Sequence, residues 1–184
     1  SGSPMFAGRI SDTDSNLVAQ IRSAGAIFIG KTNTPEFGLG SQSYNSVFGA
    51  TGCAYNPNLT SGGSSGGAAS GLGTQMLPVA DGSDMMGSLR NPGAFNNVIG
   101  YRPSTDVMSN SNASNRSLST SGPMGRNTAD TIKLLKTIAV KALPDEFMAA
   151  DLGQTRIGWL GNLNNYFAME DGVLELCESS LKLV

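Results

Sequence analysis

Two loops rich in glycine and serine, separated by one helix pattern and one strand pattern, constrain this chain more than any other feature. Residues 62–67 read Gly-Gly-Ser-Ser-Gly-Gly and residues 81–88 read Asp-Gly-Ser-Asp-Met-Met-Gly-Ser, which sets Ser64 and Ser88 24 positions apart. Between them, small and apolar residues from Ala68 to Met76 predict a helix, and Leu77-Pro78-Val79-Ala80 predicts a strand. Roughly 11 helical residues rise ~16 Å at ~1.5 Å each. The strand around 77–81 returns ~16 Å at ~3.3 Å each. The two lengths cancel. Both loops therefore reach one rim of a sheet, each just ahead of a helix N-terminus, where exposed N–H groups favour developing negative charge.

The remaining patterns agree with an α/β chain. Asp12, Thr13 and Asp14 precede Leu17, Val18, Ile21 and Ala24, predicting an amphipathic helix over 13–24 that Gly25 ends. Ala26-Ile27-Phe28-Ile29-Gly30 predicts a buried strand. Residues 31–65 have little periodicity, and long irregular segments inside compact domains tend to be functional. A short helix is expected within 89–97, a strand over 98–101 and a loop over 103–124. Thr128 and Asp130 open a helix carrying Ile132, Leu134, Leu135, Ile138 and Ala139 on one face. Residues 156–160 predict a strand, and 172–183 a last helix with Val173, Leu174, Leu176, Cys177 and Leu181 inward. One domain over 1–184 is expected. The pattern ends on apolar Leu181 and Val184, as a truncated domain would.

Composition removes several chemistries. The chain has no histidine, so Ser-His-Asp and Cys-His catalysis and a histidine zinc site are excluded within it. Two cysteines, Cys53 and Cys177, are too few for an all-thiolate zinc site; no metal and no cofactor are expected. Isolated thiols and the lack of a signal-peptide pattern point to the cytoplasm, and apolar runs are too short to cross a membrane. A net charge of −2 without a basic patch makes nucleic acid an unexpected direct partner.

What remains is a serine nucleophile, a second hydroxyl and an amide-lined oxyanion pocket. Without histidine, the usual base is a neutral lysine, whose pKa must fall from ~10.4 to near 7 by burial or a neighbouring cation. Of Lys31, Lys133, Lys136, Lys141 and Lys182, only Lys31, after an apolar run, is an internal candidate. Each feature also has an ordinary reading. The serine loop can be a flexible turn, Asp81, Asp84 and Arg90 a surface ion-pair group, and Met85 and Met86 core filling.

The ordered set of motifs separates these readings. Lys31-Thr32-Asn33-Thr34-Pro35-Glu36-Phe37, then Gly62 to Ala69, Asp84 to Pro92, Gly100-Tyr101-Arg102-Pro103-Ser104 and Gly122-Pro123-Met124-Gly125-Arg126 resembles the amidase signature family over about residues 9–140, with the signature core at about 60–104. That resemblance implies a mixed β-sheet core flanked by helices and an amide hydrolase using a Ser-cis-Ser-Lys set. By position, Ser88 resembles the nucleophile and Ser64 the serine that passes protons between lysine and Ser88, with a cis Gly63–Ser64 peptide. The amides of Met85, Met86, Gly87 and Ser88 correspond to the oxyanion hole; Ser65, Asp84 and Arg90 correspond to groups that hold the loops.

The chain departs from the family pattern twice. Met86 stands where the family usually has glycine. The position of the family's catalytic lysine falls before Ser1, and Lys31 matches a non-catalytic position. The isolated chain is therefore expected to have little or no activity. A small-molecule amide substrate is implied, and exposed sheet edges imply self-association into a homo-oligomer. Two further readings accompany the resemblance: a glutamine amidotransferase subunit of the aminoacyl-tRNA type, and a non-catalytic binding module that keeps the signature loops.

Overall fold

A computed structural model describes residues 1–108, 118–147 and 151–183. The chain groups into two compact units, Ser1–Leu143 and Pro144–Val184. In the first, α1 (Asn16–Ser23) starts where the Ser15 hydroxyl accepts the Val18 N–H. A two-residue hairpin follows, β1 (Tyr44–Asn45) against β2 (Gly49–Ala50). Then come α2 (Gly66–Gly73), β3 (Val79–Asp84), α3 (Arg90–Phe95), β4 (Ile99–Gly100), α4 (Thr105–Met108), β5 (Thr120–Gly125) and α5 (Thr128–Ile138). The main sheet has the order β3-β5-β4, and both ladders are antiparallel. Asp84 lies opposite Thr120, and Val79 and Ile99 flank Gly125 from the two sides.

The core follows from residue size. Ala68 and Ala69 are small enough for α2 to lie close on the sheet, and Leu72, Leu89 and Met124 complete a buried cluster with Leu77, Ala80 and Val98 around it. A second cluster joins Ile21 of α1 to Leu134 and Ile138 of α5. The α/β class with helices packed on a sheet is thus present, and it holds the two serine loops at the C-terminal end of β3 and the N-terminal end of α2.

Several local expectations give way to pairing. Residues 26–30 form no strand: among the described residues nothing offers them a ladder, and Ile27 is 88% exposed. The Phe28 ring lies 4.9 Å from the Arg22 guanidinium instead. Residues 156–160 likewise form no strand, for the same want of a partner. Conversely, 81–84 read as a turn from Gly82 and Ser83, yet they continue β3 along β5. Gly82 is required there because an added Cβ would lie 2.6 Å from Ser65 Oγ and 2.8 Å from Leu89 Cδ2.

The expected loop over 103–124 contains α4 and β5, with 109–117 outside the described residues. Pro123 lacks an N–H and cannot donate to a ladder. Its carbonyl accepts from Tyr101 N–H, so its missing donor falls on the short β4 side and costs the β3 ladder nothing.

In the second unit, α6 spans Val173–Leu181 after a 3-10 turn at Leu152–Gln154. The inward face expected for it is absent: no residue of α6 is buried, and Cys177 is exposed. Val184 lies outside the described residues.

Candidate active site

The two serine loops meet through main chain. The Ser65 N–H donates to the Ser88 carbonyl at 3.3 Å. Ser64 is buried and Ser88 half-buried. The Gly63–Ser64 peptide is cis. Ser65 also ties its loop to β3: its hydroxyl donates to the Ser83 carbonyl at 3.3 Å and accepts the Ser83 N–H at 3.2 Å. From the other side, the buried Ser43 hydroxyl donates to the Ser64 carbonyl at 3.1 Å and accepts the Gly66 N–H at 2.9 Å. The peptide planes on both sides of Ser65 are therefore fixed by polar contacts.

Asp84 organises the other loop. Its side chain has no solvent exposure. Oδ1 accepts from Gly87 N–H at 2.8 Å and Oδ2 from Leu89 N–H at 3.1 Å. Arg90 binds as a fork, Nε to Oδ2 at 3.0 Å and Nη2 to Oδ1 at 3.1 Å. Arg102 adds Nη1 to Oδ1 at 3.0 Å and also reaches the Asp84 main-chain carbonyl. Burial by itself would push this carboxyl up. The Arg90 guanidinium and the two amides outweigh it and hold the group well below the usual carboxylate range. Asp84 is thus a fixed anion, and the surface ion-pair reading of Asp84 with Arg90 is replaced by a buried one.

The loop amides do not all face the same way. Gly87 N–H donates to the Asp84 carboxylate and so braces the loop. The N–H groups of Met85 and Met86 have no partner among the described residues. Met86 does not adopt a positive φ; that conformation falls on Gly87, at 110°, where glycine is needed. The methionine departure therefore leaves the loop backbone intact. Met85 and Met86 are 53% and 83% exposed, so neither fills the core.

Lys31 is exposed and lies at the surface, away from the role of an internal base. Two contributors carried no expected role. Arg102 lay within a motif that the resemblance singles out. Ser43 lay in the irregular 31–65 stretch, where no local pattern marks it. Among the described residues, no group of three His, Cys, Asp or Glu side chains could hold a metal ion, and no helix is long and apolar enough to cross a membrane.

Comparison with known proteins sets this geometry in context. The family described as Amidase matches residues 1–182. A glutamyl-tRNA(Gln) amidotransferase subunit of Corynebacterium jeikeium is 32% identical over 98% of this chain, which spans 40% of that relative. The crystal structure of the corresponding amidotransferase subunit from Thermotoga maritima matches 77% of the chain with a TM-score of 0.69 and 29% identity, over 32% of its own length. The 6-aminohexanoate cyclic dimer hydrolase, solved with substrate, matches 82% of the chain with a TM-score of 0.68 and 30% identity, again over 32% of its length. The chain thus spans two fifths or less of the relatives it matches, and across that span its paired serine loops and its sheet place it in the amidase signature family.

Proposed function

We propose that the protein carrying this chain cleaves carboxylic amides through an acyl-enzyme on Ser88. The Ser88 hydroxyl oxygen attacks the amide carbonyl carbon, and its proton passes through Ser64 to a base. The tetrahedral oxyanion is met by the N–H groups of Met85, Met86 and Ser88. The C–N bond then breaks, the relay returns a proton to the leaving nitrogen, and ammonia or an amine departs. Water attacks the resulting ester, and the acid leaves with Ser88 restored. The base is a neutral lysine outside these 184 residues, in keeping with the share of the relatives that the chain covers.

The observation that carries this reading is the Ser65 N–H to Ser88 carbonyl bond, which sets the two hydroxyl-bearing loops side by side. It is tested with the full-length protein by following ammonia or amine release from simple amides, with hydroxylamine added to intercept the acyl group as a hydroxamate. Hydroxamate formation is expected. Ser88→Ala is expected to lose activity by at least about a thousandfold, because removal of a covalent nucleophile acts on the whole relay.

The amidotransferase names among the relatives favour a second reading, a glutamine-hydrolysing component of a tRNA-dependent amidotransferase. Ammonia release that requires glutamine and is stimulated by charged tRNA and partner subunits selects it over a free-standing amidase. Hydrolysis of none of these substrates selects the binding-module reading.

A further inference from the structure

Gly100-Tyr101-Arg102-Pro103-Ser104 is the signature-like segment to which the proposed chemistry assigns nothing. Its arginine is nonetheless placed at the nucleophile loop. Of the four residues whose groups reach the Asp84 carboxylate, Gly87, Leu89 and Arg90 belong to the same loop and the helix it opens. The Asp84 main chain is set by the β3–β5 ladder opposite Thr120, but those three contacts tie its carboxylate only to the loop that follows. Arg102 comes from outside it, beyond β4. Its Nη1 reaches both the carboxylate, at 3.0 Å, and the main-chain carbonyl of Asp84, while Nη2 donates to the Leu118 carbonyl at 2.5 Å just before β5. One planar guanidinium therefore joins the end of β3, the carboxylate that orients the Gly87 and Leu89 amides, and the approach to β5. Its side chain is 24% exposed, against 56% for Arg90.

We propose that Arg102 is a positioning residue for Ser88: it fixes the Asp84 carboxylate relative to the sheet, and through the Gly87 and Leu89 amides it fixes the serine between them. The inference rests on the reading of Ser88 as nucleophile. A guanidinium is needed because three acceptors in different directions are met by two nitrogens of one rigid plane; a lysine ammonium on a flexible stem meets one side or the other. Losing the clamp leaves substrate binding largely intact and misplaces the attacking oxygen. Small displacements of a reacting group cost up to about a hundredfold in rate.

The test compares full-length wild type, Arg102→Met and Arg102→Lys in amide hydrolysis and in the rate of Ser88 labelling by a fluorophosphonate, with thermal unfolding measured in parallel. For Arg102→Met, kcat and the labelling rate are expected to fall about ten- to a hundredfold while KM stays within about threefold. Arg102→Lys is expected to recover part of the loss, and added methylguanidine to restore labelling of Arg102→Ala. Labelling of Arg102→Met at the wild-type rate overturns the proposal, as does a loss shared equally by kcat and KM. If Arg102→Met does not fold, the same criteria apply to Arg102→Lys, and wild-type labelling of that variant overturns the proposal. Wild-type protein that labels at a residue other than Ser88 defeats the underlying reading instead, so the two failures are distinguishable.

Discussion

At the scale of single residues, Asp84 joins burial to charge. A carboxyl held below its ordinary value of 3.8 stabilises the fold fully above that value and loses its contribution as pH falls towards the lower folded value. Urea unfolding of the wild type should therefore be insensitive to this group between pH 7 and about 5, and should weaken below about pH 4. Asp84→Asn is destabilised at neutral pH, and the gap to wild type should narrow as pH falls through that window. A gap that widens on acidification contradicts the assignment. Gly82 makes a second residue-scale case. Its replacement by alanine drives a Cβ to 2.6 Å from Ser65 Oγ and 2.8 Å from Leu89 Cδ2. Overpacking of this kind costs about 1–3 kcal/mol, and here it also displaces the serine loop, so a lowered denaturation midpoint should come with slower Ser88 labelling.

Among the elements, the helix–strand unit between the two serines is what the sequence conveyed best. The helix is shorter than the spacing of the two serines predicts and the strand runs further, to Asp84, yet the loops still meet. The two lengths no longer cancel, since 8 helical residues rise ~12 Å and 6 strand residues return ~20 Å. Closure is made by the cross-loop Ser65 N–H to Ser88 carbonyl bond and not by matched lengths. What could not be read was pairing. Ala26–Gly30 has a strand's composition and no ladder, whereas 120–125 has glycine, proline and serine and lies in the middle of the sheet. Composition reports local preference, and a ladder is a property of two segments. The same limit hid Arg102 and Ser43, whose importance comes from neighbours far along the chain. Helix α5 was more legible because its signals are local. Asn127 Oδ1 accepts the Asp130 N–H at 2.8 Å as the N-cap. Asn127→Ala should cost about 1 kcal/mol in chemical denaturation while leaving any serine labelling of the full-length protein unchanged.

For the molecule as a whole, the distribution of apolar surface is the main departure from a self-sufficient domain. Ile10, Ile27, Ile29, Leu39, Phe48, Met86 and Leu160 are each more than 70% exposed. Exposed apolar surface favours association. The isolated 184-residue chain is therefore expected to show a mass in sedimentation that rises with concentration; a monomer at all concentrations contradicts this. Fold class and the paired loops were legible because they rest on helix and strand periods and on two short motifs. The exposure of α6 was not, because its apolar spacing reads as an inward face while none of its residues is buried.

The central claim is that the loop braced by Asp84 presents an activated hydroxyl at position 88. Peptide mapping by mass spectrometry after treating the full-length protein with a fluorophosphonate tests it most directly. The expected result is a single phosphonate adduct on Ser88, absent from Ser88→Ala and much slower to form in Ser64→Ala. An adduct on another residue, or one that forms on Ser88 at an undiminished rate without the Ser64 hydroxyl, contradicts the account.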